Sequence, residues 1–352
     1  MRNATIRDVA RAANVSVATV SRALNGTDTV SADTRARVEA AAGELDYVPH
    51  SGARSLSTQR TDTIGVLLPD LHGEFFSELI RGIDSATRAH SLHLLLSNSH
   101  GDPIEAATVL RAMRSRVDAM LVMSPYSDDE ALSAALSGAV PLVLLGSGGE
   151  SGRYPTFAID NRGGALTMMR HLLDAGHRRI AFVAGPEGNV DAAQRLSGYR
   201  AAIEDSGELV EQVVEGDFTE RSGLLATRKL LATGKPDAIF AANDMMAIGC
   251  LEALRGAGLR VPEDVALAGF DDIPVARFLD PPLTTAGVPI AEIGRQAVEC
   301  CIEILASGSP SGTNRTFTPK LVVRASSGTE KKKRPNGRTT REEADHGEII
   351  KV

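Results

Sequence analysis

Between Asn14 and Ser31 the chain reads NVSVATVSRALNGTDTVS, and residues in it have the chemistry to read a DNA base edge. In a helix-turn-helix the second helix lies in the major groove with its first residues facing the bases. Here those residues are Val17, Ala18, Ser21 and Arg22. An arginine can give a bidentate pair of donors to guanine O6 and N7, and a Val or Ala side chain can contact a thymine methyl. Hydroxyls at Thr5, Ser16, Thr19 and Ser31 could bond phosphates and fix the register without reading sequence. The same pattern also serves an ordinary surface helix, with Ser16 and Thr19 as caps and Arg22 in solvent. The stretch alone does not decide between the two.

The elements around it follow from periodicity. Residues 5–46 read as three short helices. The first has Thr5 as N-cap with Asp8 three residues on, and Ile6, Val9, Ala10 and Ala13 at helical spacing. The second starts after Ser16, with Val20, Ala23 and Leu24 on one face. The third follows Ser31, with Val38, Ala41, Ala42 and Leu45 expected inward. A link from Tyr47 to Asp62 comes next. From Thr63 the rhythm changes to apolar runs of strand length alternating with helical patterns, the signature of parallel β-α-β units. The runs are TIGVLLP, LHLLLSN, DAMLVMS and VPLVLLG, then RIAFVAG, LVEQVVEG, DAIFAAN and DVALAGF. Two blocks of four strands predict two similar α/β halves, each strand covered by helices on both faces. A helix at about 290–306 and one last strand, TFTPKLVVR, complete the expected domain. After Ser326 the chain is polar and charged, and a disordered tail over 327–352 is expected.

The bulk composition narrows the function classes. The 352 residues are 43% hydrophobic and 24% charged, which predicts a folded chain of two or three domains. The net charge is −7, yet residues 1–60 carry eight arginines against six acids, so only this end tolerates a polyanion. Cys250, Cys300 and Cys301 lack the spacing of a zinc site or a disulfide framework and read as buried thiols. No stretch has the length of a signal peptide core or a membrane span, so a soluble cytoplasmic protein is expected. Catalysis finds no support: there is no Ser-His-Asp constellation, no metal-ligand spacing, and ATGKPD lacks the features of a phosphate loop. No cofactor motif is recognised.

The downstream text resolves the first stretch. Residues from TIRDVARAANVS to VPHSGARSL resemble the headpiece of the lactose/galactose repressor (LacI/GalR) family. The resemblance continues in family order through LLPDLHGEFFSELIRGID, AIDNRGGA, GHRRIAFVAGP, RLSGYRAAI, EGDFTERSG, AANDMMAIG, DVALAGFDDI and LTTAGVP, covering about residues 4–326. It implies an all-α helix-turn-helix headpiece (1–49), a hinge (50–61) and a periplasmic-binding-protein-like α/β domain (62–326). Lobe 1 of that domain is expected at about 62–159 and 289–326, and lobe 2 at about 160–288. The implied activity is that of a transcriptional regulator, most often a repressor, binding a near-palindromic double-stranded operator as a homodimer. A small molecule, a sugar by preference, would bind between the lobes and control operator affinity.

Several residue roles come with that resemblance. Val17, Ala18 and Arg22 match base-reading positions. Leu56 matches a hinge leucine that wedges into the minor groove, with Arg54 beside it. The effector-binding positions are Asp70, Phe75, Phe76, Asp191, Arg195, Phe218, Asn243 and Asp271. Their chemistry suits a sugar, since carboxylates, amides and guanidinium bond vicinal hydroxyls while aromatic faces cover the apolar side of a ring. Plainer readings stand beside them: Phe75 and Phe76 as core, Asp271 as a turn residue, Asn243 as a helix cap. The chain departs from the pattern at His50 and at Gly52 within the hinge. It departs again at Gly146, where an acidic pocket residue is expected, and at Val288, where Gln is frequent; these two predict a less polar cleft on that side. The tail offers no leucine heptad, so a dimer rather than a tetramer is expected. The competing reading is a small-molecule binding protein, for a sugar or a purine, without operator-specific activity.

Overall fold

A computed structural model describes residues 4–24, 30–47, 60–126, 140–146, 154–207, 209–308 and 314–328. The hinge positions Arg54 and Leu56 lie outside these residues, as does the tail from residue 329.

The N-terminal segment forms α1 (Ile6–Ala12), α2 (Val17–Leu24) and α3 (Ala32–Glu44). Local chemistry sets each start. The Asp8 carboxylate accepts from both the backbone N–H and the hydroxyl of Thr5, at 3.0 and 2.7 Å, and so closes the first turn of α1. Ser16 accepts the Thr19 N–H at 3.0 Å ahead of α2, and Ser31 accepts the Thr34 N–H at 3.4 Å ahead of α3. Asn14 takes φ +53° in the turn between α1 and α2, a conformation that asparagine tolerates better than most residues. The core of this unit is small: Val9, Ala10, Ala13, Val20, Ala23, Val38, Ala41 and Ala42, with Ile6, Val15, Leu24, Val30 and Tyr47 against it. Leu45, expected inward, is instead exposed, and Tyr47 takes its place on the core.

From residue 61 the chain builds two parallel sheets. The strands are β1 (Thr63–Leu68), β2 (His93–Asn98), β3 (Ala119–Met123), β4 (Leu142–Leu145) and β5 (Thr156–Ile159), then β6 (Ile180–Val183), β7 (Val213–Val214), β8 (Ala238–Ala241), β9 (Ala266–Asp271) and β10 (Thr284–Gly287). Two short ones follow, β11 (Arg315–Phe317) and β12 (Lys320–Val322). The helices are α4 (Glu74–Ala89), α5 (Pro103–Met113), α6 (Asn161–Asp174), α7 (Val190–Ser206), α8 (Glu220–Thr233), α9 (Asp244–Gly256) and α10 (Ile290–Ser307). The first sheet runs β11-β5-β4-β3-β1-β2 and the second β12-β10-β9-β8-β6-β7. All pairings are parallel except β10 with β12. β3, β4, β6, β8 and β9 are buried at every residue, as strands covered on both faces must be.

Four further expectations are corrected. Each sheet has six strands rather than four, because TFAI and TTAG are too short and too weakly apolar to stand out from their loops. The single last strand TFTPKLVVR is broken at Thr318–Pro319, so that β11 joins one sheet and β12 the other; proline has no N–H for a ladder. The chain divides into Met1–Asp160, Glu187–Ala193 and Val288–Pro319 on one side and Asn161–Pro186, Gln194–Gly287 and Lys320–Val352 on the other. Asp191 therefore falls in the first unit and the chain from Lys320 in the second, against the lobe limits read from sequence. Ser327 does not begin a free tail: it is fully buried, its hydroxyl bonded to His171 Nε2 at 2.9 Å and to the Thr284 hydroxyl at 2.8 Å.

Each unit packs one helix pair through glycine. A β-carbon at Gly249 in α9 would overlap the Glu220 carbonyl of α8, and one at Gly82 in α4 would overlap the Ala291 carbonyl of α10. Gly249→Ala is expected to lower unfolding stability by about 1–3 kcal/mol through overpacking. Gly256→Ala, on the same helix with open space above it, should stay within about 0.5 kcal/mol of the parent. Urea midpoints of the two variants measure the contrast.

Candidate functional site

The headpiece separates its residues by burial. On α2, Val20 and Ala23 are buried while Val17, Ala18 and Arg22 are exposed and Ser21 is half-buried. An exposed valine at the first position of a helix has no use in the headpiece core, and Arg22 stands one turn on from the exposed Ala18. That surface combines an apolar contact with a planar pair of donors.

The hydroxyl positions are less uniform than the sequence suggests. Thr5 spends its single O–H proton on Asp8, which leaves it no proton for a phosphate oxygen while that bond stands. Ser16 and Thr19 share one hydrogen bond at 2.8 Å, so one of their two hydroxyl protons can turn outward. Ser31 donates to the Thr34 hydroxyl at 2.9 Å, which makes Thr34, not Ser31, the residue whose proton can turn outward. Its sequence signal is a second hydroxyl three residues after a cap.

In the second unit, Arg195, Phe218, Asn243 and Asp271 come together at the carboxyl ends of strands. Arg195 projects from α7 and is only 4% exposed. Its Nε donates to Asn161 Oδ1 at 2.8 Å and its Nη1 to the Ala242 carbonyl at 2.5 Å. Its Nη2 stands 3.3 Å from Asp271 Oδ1. The guanidinium lies over the Phe270 ring at 3.9 Å and 5.7 Å from the Phe218 ring. A buried charge needs a partner and bonded donors, and here it has both. Two of the five guanidinium protons are donated to the neutral oxygens of Asn161 and Ala242, and the contact with Asp271 is an ion pair. Asn161 and Phe270 were not singled out from sequence, though both stand where a strand ends.

Backbone strain gathers at the same place. Phe218 has φ +71°, Asp271 +115° and Asp272 +58°, all non-glycine residues in the left-handed half of the map. Such conformations cost about 1–3 kcal/mol each and concentrate at binding sites. Asn243 helps to hold Phe218: its Nδ2 donates to the Phe218 carbonyl at 3.0 Å while its Oδ1 caps α9 through Met246 N at 2.9 Å. The capping role weighed from sequence is thus the one the structure shows. Burial, followed by the neighbouring Asp271 carboxylate, holds the Asp244 carboxyl well above the usual carboxylate range.

The first unit carries the remaining positions. Asp70 is exposed, and its Oδ1 accepts from Leu71 N and His72 N at 2.6 and 3.1 Å, an Asx turn that leads towards α4. Phe75 and Phe76 sit at the start of α4, half-buried, their rings edge to face at 5.4 Å. Asp191 is buried, and its Oδ2 lies 3.3 Å from where a β-carbon on Gly146 would stand. Gly146 has φ +95°, which suits glycine. The acid absent at position 146 is therefore matched by the carboxylate of Asp191 beside it, where the sequence predicts lower polarity.

Comparison with known proteins agrees with this layout. Residues 5–50 match the family described as bacterial regulatory proteins, lacI family, and residues 169–327 match the periplasmic binding protein-like domain. The chain is 36% identical over 327 residues to the HTH-type transcriptional repressor CytR of Escherichia coli (strain K12), covering 92% of this chain and 96% of that one. It belongs to the LacI family. A second LacI-family relative, the ribose operon repressor of Escherichia coli (strain K12), is 36% identical over 328 residues, 92% of this chain and 99% of the other. Among solved structures, the lac repressor dimer bound to operator and the anti-inducer ONPF superposes with a TM-score of 0.82 at 30% identity, over 93% of this chain and 100% of that one. The LacI family is one of regulators, with a helix-turn-helix headpiece and a two-lobed binding-protein domain, as the strands and helices above display.

Proposed function

We propose that this protein is a transcriptional repressor that binds operator DNA as a homodimer and is controlled by an uncharged polyhydroxyl effector, a sugar or sugar derivative. The observation that carries the DNA half is the division of α2, which buries Val20 and Ala23 and exposes Val17, Ala18 and Arg22. Val17, Ala18 and Arg22 would read bases, with Ser21 at their edge. Phosphate donors would be one hydroxyl of the Ser16 and Thr19 pair together with Thr34. Arg54 and Leu56 keep their proposed place in the minor groove.

The ligand half rests on Arg195. Its charge is met by Asp271, so a neutral acceptor such as a hydroxyl suits it better than a second anion. A phosphorylated or carboxylated ligand would instead meet the carboxylate of Asp271 beside the guanidinium. Asp70, Phe75, Phe76, Phe218 and Asn243 complete the proposed set, Asn243 acting through Phe218. The protein acts by binding rather than catalysis, in the cytoplasm where its operator is.

Selection of bound sites from random DNA with the full chain tests the DNA half. The expected outcome is a near-palindromic consensus whose affinity falls steeply with salt. Recovery of random sequence would favour the plain binding-protein reading.

A further inference from the structure

β9 delivers Asp271 to Arg195 on a backbone that L residues seldom adopt, and it does so twice in succession, at Asp271 and Asp272. Consecutive conformations of this kind persist only when surrounding bonds over-determine them. Those bonds converge on one side chain that no role has yet explained. Asp244, the first residue of α9, is fully buried. Its Oδ2 accepts the Ile273 N–H at 3.0 Å and its Oδ1 accepts the Thr285 hydroxyl at 2.7 Å. The Thr285 oxygen in turn accepts the Asp272 N–H at 3.3 Å. From the other side Arg324 donates to Asp272 Oδ1 at 2.7 Å and to the Leu283 carbonyl at 2.8 Å. The backbone of β9 closes on the same carboxylate, since a β-carbon at Gly269 would overlap Asp244 Oδ1.

We propose that Asp244 and Thr285 are positioning residues for effector recognition, which clamp the 271–273 turn so that the Asp271 carboxylate meets the Arg195 guanidinium. The proposal rests on the reading of Arg195 and Asp271 as effector-binding. Its physical basis is the difference between a neighbour and a brace. A buried carboxylate that accepts from a backbone N–H on one side of a strained turn, and from a hydroxyl that itself holds the next N–H, leaves that turn one position to occupy. Removing the Thr285 hydroxyl frees the Asp272 N–H and one oxygen of Asp244 together, and both Asp244 and Thr285 are fully buried.

Valine has the shape of threonine without the hydroxyl, and serine has the hydroxyl without the methyl, so the pair separates bracing from packing. The full-length protein is labelled with ¹⁵N-arginine, and the Arg195 Nε–H resonance is assigned by its loss in Arg195→Lys. Thr285→Val should move this resonance and raise its exchange with water by about tenfold, the ratio expected when one net hydrogen bond is lost. Asp244→Asn should do the same, and Thr285→Ser should leave the resonance near its parent position. In parallel, D-ribose, D-glucose and cellobiose are titrated calorimetrically. A sugar that binds the parent should bind Thr285→Val about tenfold more weakly and Thr285→Ser within about twofold. If the parent binds none of the three, the effector reading loses its support while the Arg195 resonance still decides the brace. An unchanged resonance and exchange rate in both Thr285→Val and Asp244→Asn would overturn the proposal.

Discussion

Arg195→Ala is expected to lower folding stability by about 3–5 kcal/mol and to remove effector binding. The size follows from what remains after the truncation. Asp271 is 3% exposed and has Arg195 as its ionic partner at 3.3 Å, while Asn161 Oδ1 and the Ala242 carbonyl each receive a proton from the same guanidinium. Removing it leaves a buried carboxylate and two buried acceptors without their donor, beside the Asp244 carboxyl that already resists ionisation. The Phe270 ring also loses the plane stacked on it at 3.9 Å. Urea unfolding reads the stability, and calorimetric titration of sugars reads the binding. Two companions sharpen the test. Arg195→Ala combined with Asp271→Asn should recover part of the lost stability, because the stranded charge is gone, without recovering binding. Arg195→Lys should retain the charge yet fall short on both counts, because an ammonium cannot fork between Asn161, Ala242 and Asp271. A stability equal to the parent in Arg195→Ala would show that the cluster is not the buried network described above.

Arg22→Ala is expected to act on the other ligand alone. On operator DNA the loss should be about 1–3 kcal/mol, the discrimination carried by one bidentate contact to guanine. Arg22 is exposed on α2 while the headpiece core is made by Val20, Ala23 and their neighbours, so folding should be untouched. Binding to a scrambled duplex should be nearly unchanged, and the dependence of affinity on salt should keep its slope within about one phosphate contact. Fluorescence anisotropy on both duplexes at several salt concentrations separates the two DNA roles. An equal loss on operator and scrambled DNA would mean that Arg22 touches only phosphate.

Much of this was legible in the residues. The caps at Thr5, Ser16 and Ser31, the core positions Val9, Val20 and Val38, and eight of the strands follow from spacing and side-chain chemistry. Among the effector candidates, Arg195, Phe218, Asn243 and Asp271 followed from the family resemblance, and these four come together in the second unit. What escaped was set by pairing in space. β5 and β10 are four residues each, defined by the strands beside them rather than by their own hydrophobicity. The break at Pro319 between β11 and β12 looks like one strand until the two sheets are seen to claim its halves. At the site, periodicity placed Asp271 and Arg195 in separate elements but could not place Asn161, Phe270 or Asp244 around them, because those contacts span up to tens of residues. Gly146 illustrates the same limit: the missing acid was visible in sequence, and its counterpart Asp191 was visible too, but their proximity was not. Proton direction was hidden as well: Ser31 stood among the phosphate candidates and Thr34 did not.

The central claim is that one protein couples effector binding at Arg195 to operator affinity, and one titration tests it directly. The full-length protein is held on its selected operator at fixed salt while sugars are added, with operator occupancy read by fluorescence anisotropy. The account predicts that at least one sugar changes operator affinity by about tenfold to a hundredfold, corresponding to about 1.4–2.7 kcal/mol of coupling. It further predicts that the change vanishes in Arg195→Ala once that variant is shown to be folded and still bound to operator. An affinity that no sugar moves, or a shift that survives in Arg195→Ala, would contradict it.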